Sequence, residues 1–201
     1  TNNPLISTSD VTVQQLITET GGELTIGPGR LLTATSLTND GTTVFNPGAK
    51  GTIPTIVNNG TFRMESDATG ISSLIVDSYS GNDAEVELYL TGGPVGDNYR
   101  WHFISSPFTS LDTSYFWAEN SKNLAQWVES YNRGSLAEGW FAADGWLYPS
   151  GPVTDTRFNN LISGKGYMFY YKNDTTFLIK GSFNTSSNSM DLGLSDPDNL
   201  S

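Results

Sequence analysis

Three glycines recur at intervals of nineteen residues near the start of this chain, and the residues around them recur with them. Gly22, Gly41 and Gly60 each begin a five-residue segment, and apolar residues alternate in it, as Phe62 and Met64 do in the third segment. A fixed period this short is typical of a repeat architecture, in which each unit buries its apolar face only against its neighbours. Such a stack provides length and surface and seldom a deep catalytic pocket.

The repeat has the properties of β-strands joined by turns. Its apolar residues follow the two-residue period of a half-buried strand, and Thr, Val and Ile are abundant. Asn39 and Asn58 precede the second and third glycines, and Pro-Gly pairs at 28–29 and 47–48 mark a second set of turns. Gly and Asn are suited to these corners because they tolerate the positive φ that a sharp turn needs.

Equivalent strands one repeat apart would stack in register at about 4.8 Å. The sequence therefore predicts a short parallel β-solenoid of four coils, the first of them a degenerate coil over residues 3–21. The apolar column that contains Ile56 is predicted to continue nineteen residues later at Ile75. The alternative is a meander of hairpins with accidentally even turn spacing.

The composition changes near residue 84. Three of the 24 aromatic residues precede that point and all five tryptophans follow it. We therefore expect a solenoid domain over residues 1–83 and an aromatic-rich antiparallel β-sandwich, jelly-roll-like, over residues 84–201. Alternation and turn residues predict strands in this second part, at 84–90, 100–105, 166–172 and 175–183.

One segment of the second part fits two structures. Leu124, Trp127, Val128 and Tyr131 have helical spacing, and Ser121 could cap such a helix. The segment also fits two strands, Tyr115–Trp117 and Trp127–Val128, around an Asn-Ser-Lys-Asn turn, and strands are the preferred interpretation.

Charge and composition exclude several classes of function. The formal net charge of −11, with Lys and Arg scattered singly, argues against binding to nucleic acid or to an anionic membrane surface. No run approaches the roughly 20 apolar residues of a membrane span. The chain has no cysteine, so disulfides and thiolate metal sites are excluded, and no cofactor is predicted. Low charge density with many Thr, Ser, Asn and Gly is typical of a secreted or displayed β protein.

Several short motifs are familiar from one group of proteins. Residues 101–107 read W-x-x-I-S-S-P, residues 164–167 read G-K-G-Y, and residues 177–185 read F-x-x-x-G-x-x-N-T, with Ser186 where Gly is usual. Together with L-T-N-x-G-T coils upstream, the chain resembles large secreted surface proteins of the Bacteroidetes that use type IX secretion. The resemblance implies export and an extracellular or outer-surface location, and it implies no catalytic residues. The C-terminal sorting domain of such proteins is not found, so the chain is expected to be a piece of a longer protein.

Residues that could carry catalysis are few, and each has a structural interpretation that we prefer. His102 is the only histidine and alternates with aromatic residues on a predicted strand. Ser105 and Ser106 lie in Ser-Ser-Pro, which lacks the Gly-x-Ser-x-Gly elbow of a serine nucleophile. Glu85 and Glu87 lie on one face of a strand about 6–7 Å apart, a separation that would suit a glycosidase pair. A solvated strand face is the preferred interpretation of the two glutamates.

A metal site is not predicted, although three acidic residues near the C-terminus are candidate calcium ligands. Asp191, Asp196 and Asp198 offer hard oxygen ligands, but their spacing does not match the twelve-residue calcium loop. Whether they bind calcium stays open at this point.

The aromatic residues between 117 and 148 are the preferred place for a binding surface. Trp140, Trp146 and Tyr148 are the candidate exposed members, because flat rings beside polar groups stack on sugars or receive peptide segments. The remaining aromatics of this region are predicted to fill the core.

Two classes of function remain, and neither is enzymatic. The first is a surface or adhesion module, a solenoid stalk that presents a sandwich to a glycan or a host or cell-surface protein. The second is a structural subunit that polymerises through open solenoid edges or strand exchange. The segment 1–10 could cap the first coil of its own chain or serve as the exchanged strand. A polysaccharide-active enzyme is disfavoured, since the coils carry no acidic or basic cluster.

Overall fold

The computed structural model describes residues 3–93, 100–116, 124–127, 146–147 and 158–185. Strand accounts for 60% of the structure and helix for 3%, so the predicted all-β class is confirmed. The predicted β-solenoid is also confirmed, with about four turns. Within the described ranges, no helix is long and apolar enough to span a bilayer.

Residues 5–90 contain the strands of the solenoid and one strand beyond it. They are β1 (Leu5–Ile6), β2 (Val11–Thr18), β3 (Glu23–Ile26), β4 (Leu31–Asn39), β5 (Thr42–Phe45), β6 (Lys50–Thr52), β7 (Thr55–Asn58), β8 (Thr61–Met64), β9 (Ser66–Asp67), β10 (Gly70–Ile71), β11 (Ser73–Ile75), β12 (Ser78–Gly81) and β13 (Ala84–Leu90).

The strands that follow are shorter and more widely spaced. They are β14 (Arg100–Ile104), β15 (Ser110–Asp112), β16 (Leu124–Trp127), β17 (Trp146–Leu147), β18 (Asn160–Ile162), β19 (Tyr167–Tyr171) and β20 (Thr175–Gly181), with a 3-10 turn at Thr113–Phe116. The strands predicted at 84–90, 100–105, 166–172 and 175–183 are thus confirmed to within two residues. Of the two strands preferred for residues 115–128, the second is confirmed at Leu124–Trp127. The first is wrong, because Tyr115 and Phe116 belong to the 3-10 turn.

Each coil of the solenoid contributes to two parallel sheets. The front sheet stacks β1, β3, β5, β8 and β13 in that order, and the back sheet stacks β2, β4, then β6 with β7, then β11 with β12. Alternate side chains from both sheets fill the space between them, among them Ile26, Leu37, Phe45, Ile56 and Phe62, all buried. Burying one such side chain contributes about 1.5–3 kcal/mol, so this apolar row holds the coils together.

The nineteen-residue period is the register of the middle coils. Glu23 pairs with Thr42 and Thr42 with Thr61 in the front sheet. The amide of Thr42 donates to the Gly22 carbonyl at 2.9 Å, and the amide of Thr61 donates to the Gly41 carbonyl at 2.8 Å. Gly22, Gly41 and Gly60 therefore occupy equivalent corners, each directly before a front-sheet strand.

The reason for glycine differs between the two sets of corners. At the Pro-Gly corners, Gly29 and Gly48 have φ of 71° and 79°, as the sequence predicts. At the other corners the prediction of positive φ is wrong, because neither Gly41 nor Gly60 adopts it. There a Cβ on Gly60 would lie 2.0 Å from the Gly41 carbonyl oxygen. These corners need glycine because successive backbones approach too closely for any side chain.

The nineteen-residue period breaks in the fourth coil. Ile56 pairs with Tyr79, twenty-three residues on, and Ile75 pairs with Thr52. The prediction that Ile75 continues the Ile56 column is therefore wrong. A small antiparallel hairpin, β9 with β10, enlarges the corner between the front and back sheets and shifts every later residue of the coil.

A ladder of polar side chains is buried between the sheets at one corner. Asn39 and Asn58 are fully buried, and the Asn39 amide donates to Asn58 Oδ1 at 2.7 Å and to the Thr61 carbonyl at 2.9 Å. The Asn58 amide donates in turn to the hydroxyl of Tyr79 at 2.9 Å. Buried amides need such partners, and the repeated asparagine supplies them from coil to coil.

Tyr79 ends this ladder in the fourth coil. Its hydroxyl donates to the Asn82 carbonyl at 2.8 Å, and burial raises the pKa of Tyr79 to about 12. The phenol therefore stays protonated and hydrogen-bonded throughout the physiological range.

The front sheet continues through residue 83, where the composition changes. β13 pairs parallel with β8, so that Ala84 stands beside Phe62, and antiparallel with β20, so that Ala84 stands beside Gly181. One strand thus belongs to both parts of the chain. A domain boundary at about residue 83 stays a prediction.

Beyond β13 the described strands form an antiparallel arrangement. A four-stranded sheet has the order β14-β19-β16-β17, and β15 pairs with β18. Aromatic rings join this sheet to β20, since Phe177 lies 5.6 Å from Phe169 and 5.3 Å from Phe116 between ring centroids. Phe183 packs against Phe62 and Tyr79 of the solenoid. The buried aromatic residues described in the second part thus fill a core continuous with that of the coils.

Candidate binding surface

An exposed row of aromatic side chains lies on the outer face of β14 and β19. Trp101 is 43% exposed and Phe103 is 83% exposed, the highest value among the large apolar side chains that the structure describes. Tyr170 stands beside Trp101 in the register of the two strands, and their ring centroids are 4.7 Å apart at an angle of 40°. Met168 stands beside Phe103 and is half-buried. We call these four residues the aromatic face.

The aromatic face lies on a sheet whose opposite side packs into the core. Residues between those of the aromatic face point inward, so that Ile104, Phe169 and Tyr171 are buried while their neighbours face out. His102 is also on the inner side, beside Phe169, and its Nε2 lies 2.9 Å from the Thr91 carbonyl oxygen. The two-residue alternation of β14 therefore presents two rings on a packed support.

The chemistry of the aromatic face is that of stacking and apolar contact. Exposed Trp and Tyr rings bury large areas when a ligand covers them, and they lose little conformational entropy in doing so. Their ring edges and polar atoms leave room for hydrogen bonds at the rim. Such a face suits a sugar ring or a peptide side chain, and it holds no acid, base or nucleophile of its own.

Of the residues that the sequence predicts for binding, the structure describes Trp146. Trp146 begins β17 at the edge of the sheet that bears the aromatic face, where it pairs with Trp127. Trp140 and Tyr148 lie outside the described residues. In the sequence, Trp101 and Phe103 lie within the motif of residues 101–107, which indicates a structural strand. Their two-residue spacing ahead of buried Ile104 was the signal that would have found them.

Glu85 and Glu87, whose spacing would suit a glycosidase pair, form ion pairs on the outer side of the front sheet. Glu85 accepts from Lys180 Nζ at 2.6 Å, and Glu87 pairs with Arg63 and accepts from the Ser66 amide at 3.2 Å. Donating to Glu87 raises the pKa of the Arg63 guanidinium, and donating to Glu85 raises the pKa of Lys180. Both glutamates thus brace strands together.

Ser105 and Ser106, the two candidate nucleophiles, lie in a turn. Ser106 is buried, its hydroxyl donates to the Phe108 carbonyl at 2.8 Å, and it accepts from the Phe108 amide at 3.0 Å. These two hydrogen bonds engage the Ser106 hydroxyl within the turn, so Ser-Ser-Pro marks the end of a strand.

Within the described part of the chain, no group of three or more His, Asp or Glu residues could hold a metal ion. Asp191, Asp196 and Asp198 lie outside the described residues.

An open groove of about 680 Å³ lies where the fourth coil meets the strands that follow. Its described lining is mostly apolar, from β11, β13 and the turn that contains Ser105 and Ser106. Glu87 is the one ionisable residue of that lining, and it is already paired. The groove offers a shape for an apolar chain and no catalytic set.

Comparison of the chain with protein-family models, with curated proteins and with solved structures yields no match. Function is therefore argued from the surface itself.

Proposed function

We propose that this chain is a non-enzymatic extracellular module in which a solenoid stalk carries an antiparallel β-sandwich that binds a glycan or a protein. The observation that carries the proposal is the aromatic face, where Trp101 and Phe103 are exposed on a sheet whose opposite side is packed. Contiguous exposed apolar side chains mark interaction sites more often than single ones do, and aromatic residues are typical binding anchors.

The polar residues that could carry catalysis already have hydrogen-bond partners within the fold, which supports a binding role over a catalytic one. His102, Ser106 and the two glutamates of β13 each have structural hydrogen-bond partners. The extracellular location rests on the resemblance of the Trp101–Pro107 and Gly164–Tyr167 motifs to secreted surface proteins. The sandwich rests on the four-stranded sheet facing β20 across Phe169 and Phe177.

The proposal is tested by binding of the full chain to a glycan array and to a panel of extracellular proteins. Replacing Trp101 or Phe103 by Ala is expected to weaken the detected interaction at least about tenfold, which corresponds to roughly 1.4 kcal/mol. Leu178→Ala is the matched control, because Leu178 is also exposed on a strand, at 39%, and lies outside the aromatic face. Binding that is unchanged in both aromatic variants would contradict the proposal.

The same panel separates the two possible locations of the site. Trp140→Ala and Trp146→Ala test the surface that the sequence predicts. A loss confined to those variants moves the site off the aromatic face, and a loss confined to Trp101→Ala and Phe103→Ala keeps it there.

A further inference from the structure

We propose that the open groove where the fourth coil meets the later strands binds an extended peptide segment of a partner protein. The segment adds as a strand beside β11, with apolar residues at alternate positions and basic residues at its ends. This site is separate from the aromatic face, and the inference does not depend on the function proposed above.

The first observation is a strand edge beside the groove. Within the described residues, β11 pairs with β6 alone. The amide of Ser73 donates to the Ala49 carbonyl at 2.9 Å, so Ser73 directs its backbone toward β6. The carbonyl of Ile75 accepts from the Ile53 amide, also at 2.9 Å. Leu74 lies between these two residues, so its amide and carbonyl face the opposite side, where a further strand can pair.

The second observation is the apolar lining of the groove. Its walls come from the fourth coil, from β13 and from the turn at residues 105–107. Two lining residues, Ile71 and Ile75, are 61% and 65% exposed. Apolar side chains left exposed around a concave surface are typical of a binding site. Because successive side chains of a strand point to opposite faces, a strand beside Leu74 would place alternate side chains against this lining.

The dimensions of the groove favour a short segment. Its volume of about 680 Å³ is that of a ligand pocket and is too small for a folded domain. β11 has three residues, and of these only Leu74 directs its backbone away from β6. Main-chain pairing therefore supplies few hydrogen bonds, and apolar side chains must supply the rest of the affinity. A complex this small is expected to be weak and transient.

Charge around the groove determines which peptide ends are favoured. Asp67 lies in the hairpin of β9 and β10, Asp77 lies two residues after β11, and both are exposed. Glu87 of the lining is compensated by Arg63. The described lining contains no Lys or Arg. Basic residues at the ends of a bound peptide would complement the two aspartates, whereas acidic ends would be repelled.

The test is a library of fluorescein-labelled ten-residue peptides titrated against the full chain by fluorescence anisotropy. Each peptide has apolar residues at alternate positions and either Lys or Glu at both ends. At low salt, the best Lys-ended peptides are expected to bind with a Kd below about 100 µM, at least about tenfold tighter than their Glu-ended counterparts. Methylation of the backbone nitrogens on one edge of the peptide removes main-chain donors, and it is expected to weaken binding by at least about tenfold.

One pair of variants locates the site. Ile75→Glu places a charge in the groove and is expected to weaken binding of the best peptide at least about tenfold. Ile17→Glu is the matched control, because Ile17 is 63% exposed on β2 at the other end of the same sheet, and it is expected to bind like wild type. Hydrogen exchange adds a direct readout, since the Leu74 amide is expected to gain protection when peptide is bound.

Several results would overturn the proposal. One is a library in which no peptide binds at any concentration. Another is binding that Ile75→Glu leaves unchanged or that Phe103→Ala abolishes, since the peptide would then lie elsewhere or on the aromatic face. Binding that survives methylation on either edge would mean an apolar pocket without strand addition. Binding confined to a peptide with the sequence of residues 186–201 would make the occupant a segment of this chain and not of a partner.

Discussion

Residues 5–83 and residues 84–185 are both built from strands, yet they are held together by different means. In the solenoid each strand pairs with the strand one coil away, as Thr42 does with Thr61, and the core includes a buried amide ladder. In the later part the partners are distant, as Ala84 is from Gly181, and ring-on-ring contacts fill the core. The first part depends on close backbone approach and paired polar groups, and the second on large apolar volume.

The largest expected effect comes from adding one methyl group at a solenoid corner. Gly60→Ala puts a Cβ 2.0 Å from the Gly41 carbonyl oxygen, so the coils must separate, and we expect a loss of at least about 3 kcal/mol in the free energy of unfolding. Gly166→Ala is the control in the later part, because its Cβ would meet no atom within 4 Å. Chemical denaturation of both variants measures the loss in the free energy of unfolding. Equal losses would contradict the idea that close backbone approach is particular to the solenoid.

A smaller effect is expected at the amide ladder. Asn58→Ala leaves the Asn39 amide and the Tyr79 hydroxyl without their buried partner, and we expect it to cost about 2–3 kcal/mol. Its neighbour Asn59 bonds to Asp40 at the surface, so Asn59→Ala is expected to cost under about 1 kcal/mol. Thermal unfolding of the pair measures the difference. Similar costs would mean that the buried hydrogen bonds of Asn58 stabilise the fold no more than the surface hydrogen bond of Asn59 does.

The smallest effect is a dependence on alkaline pH. The pKa of Tyr79 is raised to about 12, against about 10 in the unfolded chain, so the folded state holds its proton more tightly. The resulting stabilisation is present below pH 10 and is lost as pH rises towards 12, by up to about 2 kcal/mol.

Comparison with a second tyrosine sharpens this pH measurement. Burial also raises the pKa of Tyr167, whose hydroxyl accepts from the Ile162 amide at 2.8 Å. Denaturation at pH 10 and pH 11.5 is expected to show a weaker pH dependence in Tyr79→Phe than in wild type. Tyr167→Phe makes the same comparison in the later part. A wild-type slope retained in Tyr79→Phe would argue that another group titrates.

The repeat was predictable because its signal is local. Gly41 and Gly60, with the alternating residues that follow them, carry the period in adjacent stretches of sequence, and the register of the middle coils follows from it. The hairpin in the fourth coil has no comparable signal. Its polar residues resemble any turn, and Ile75 was therefore assigned to the wrong column. The close backbone contact at Gly60 is a property of stacked coils and cannot be read from one of them.

The candidate surface was less predictable, for a physical reason. Whether a tryptophan is exposed depends on which strands pair across long stretches of chain, and Arg100–Ile104 meets Tyr167–Tyr171 across more than sixty residues. The density of aromatic residues favours Trp140 and its neighbours, whereas Phe103 stands in a motif typical of a structural strand. The ion pairs of Glu85 and Glu87 follow from the same distant pairing.

The strand shared by the two parts has a mechanical consequence. The chain enters β13 at Ala84 and leaves β20 at Gly181, and these two residues are partners at the same end of the ladder. Tension between the ends of the described chain would therefore load that ladder one rung at a time, beginning at this pair. Under such a pulling force β20 would separate from β13 in sequence from this end.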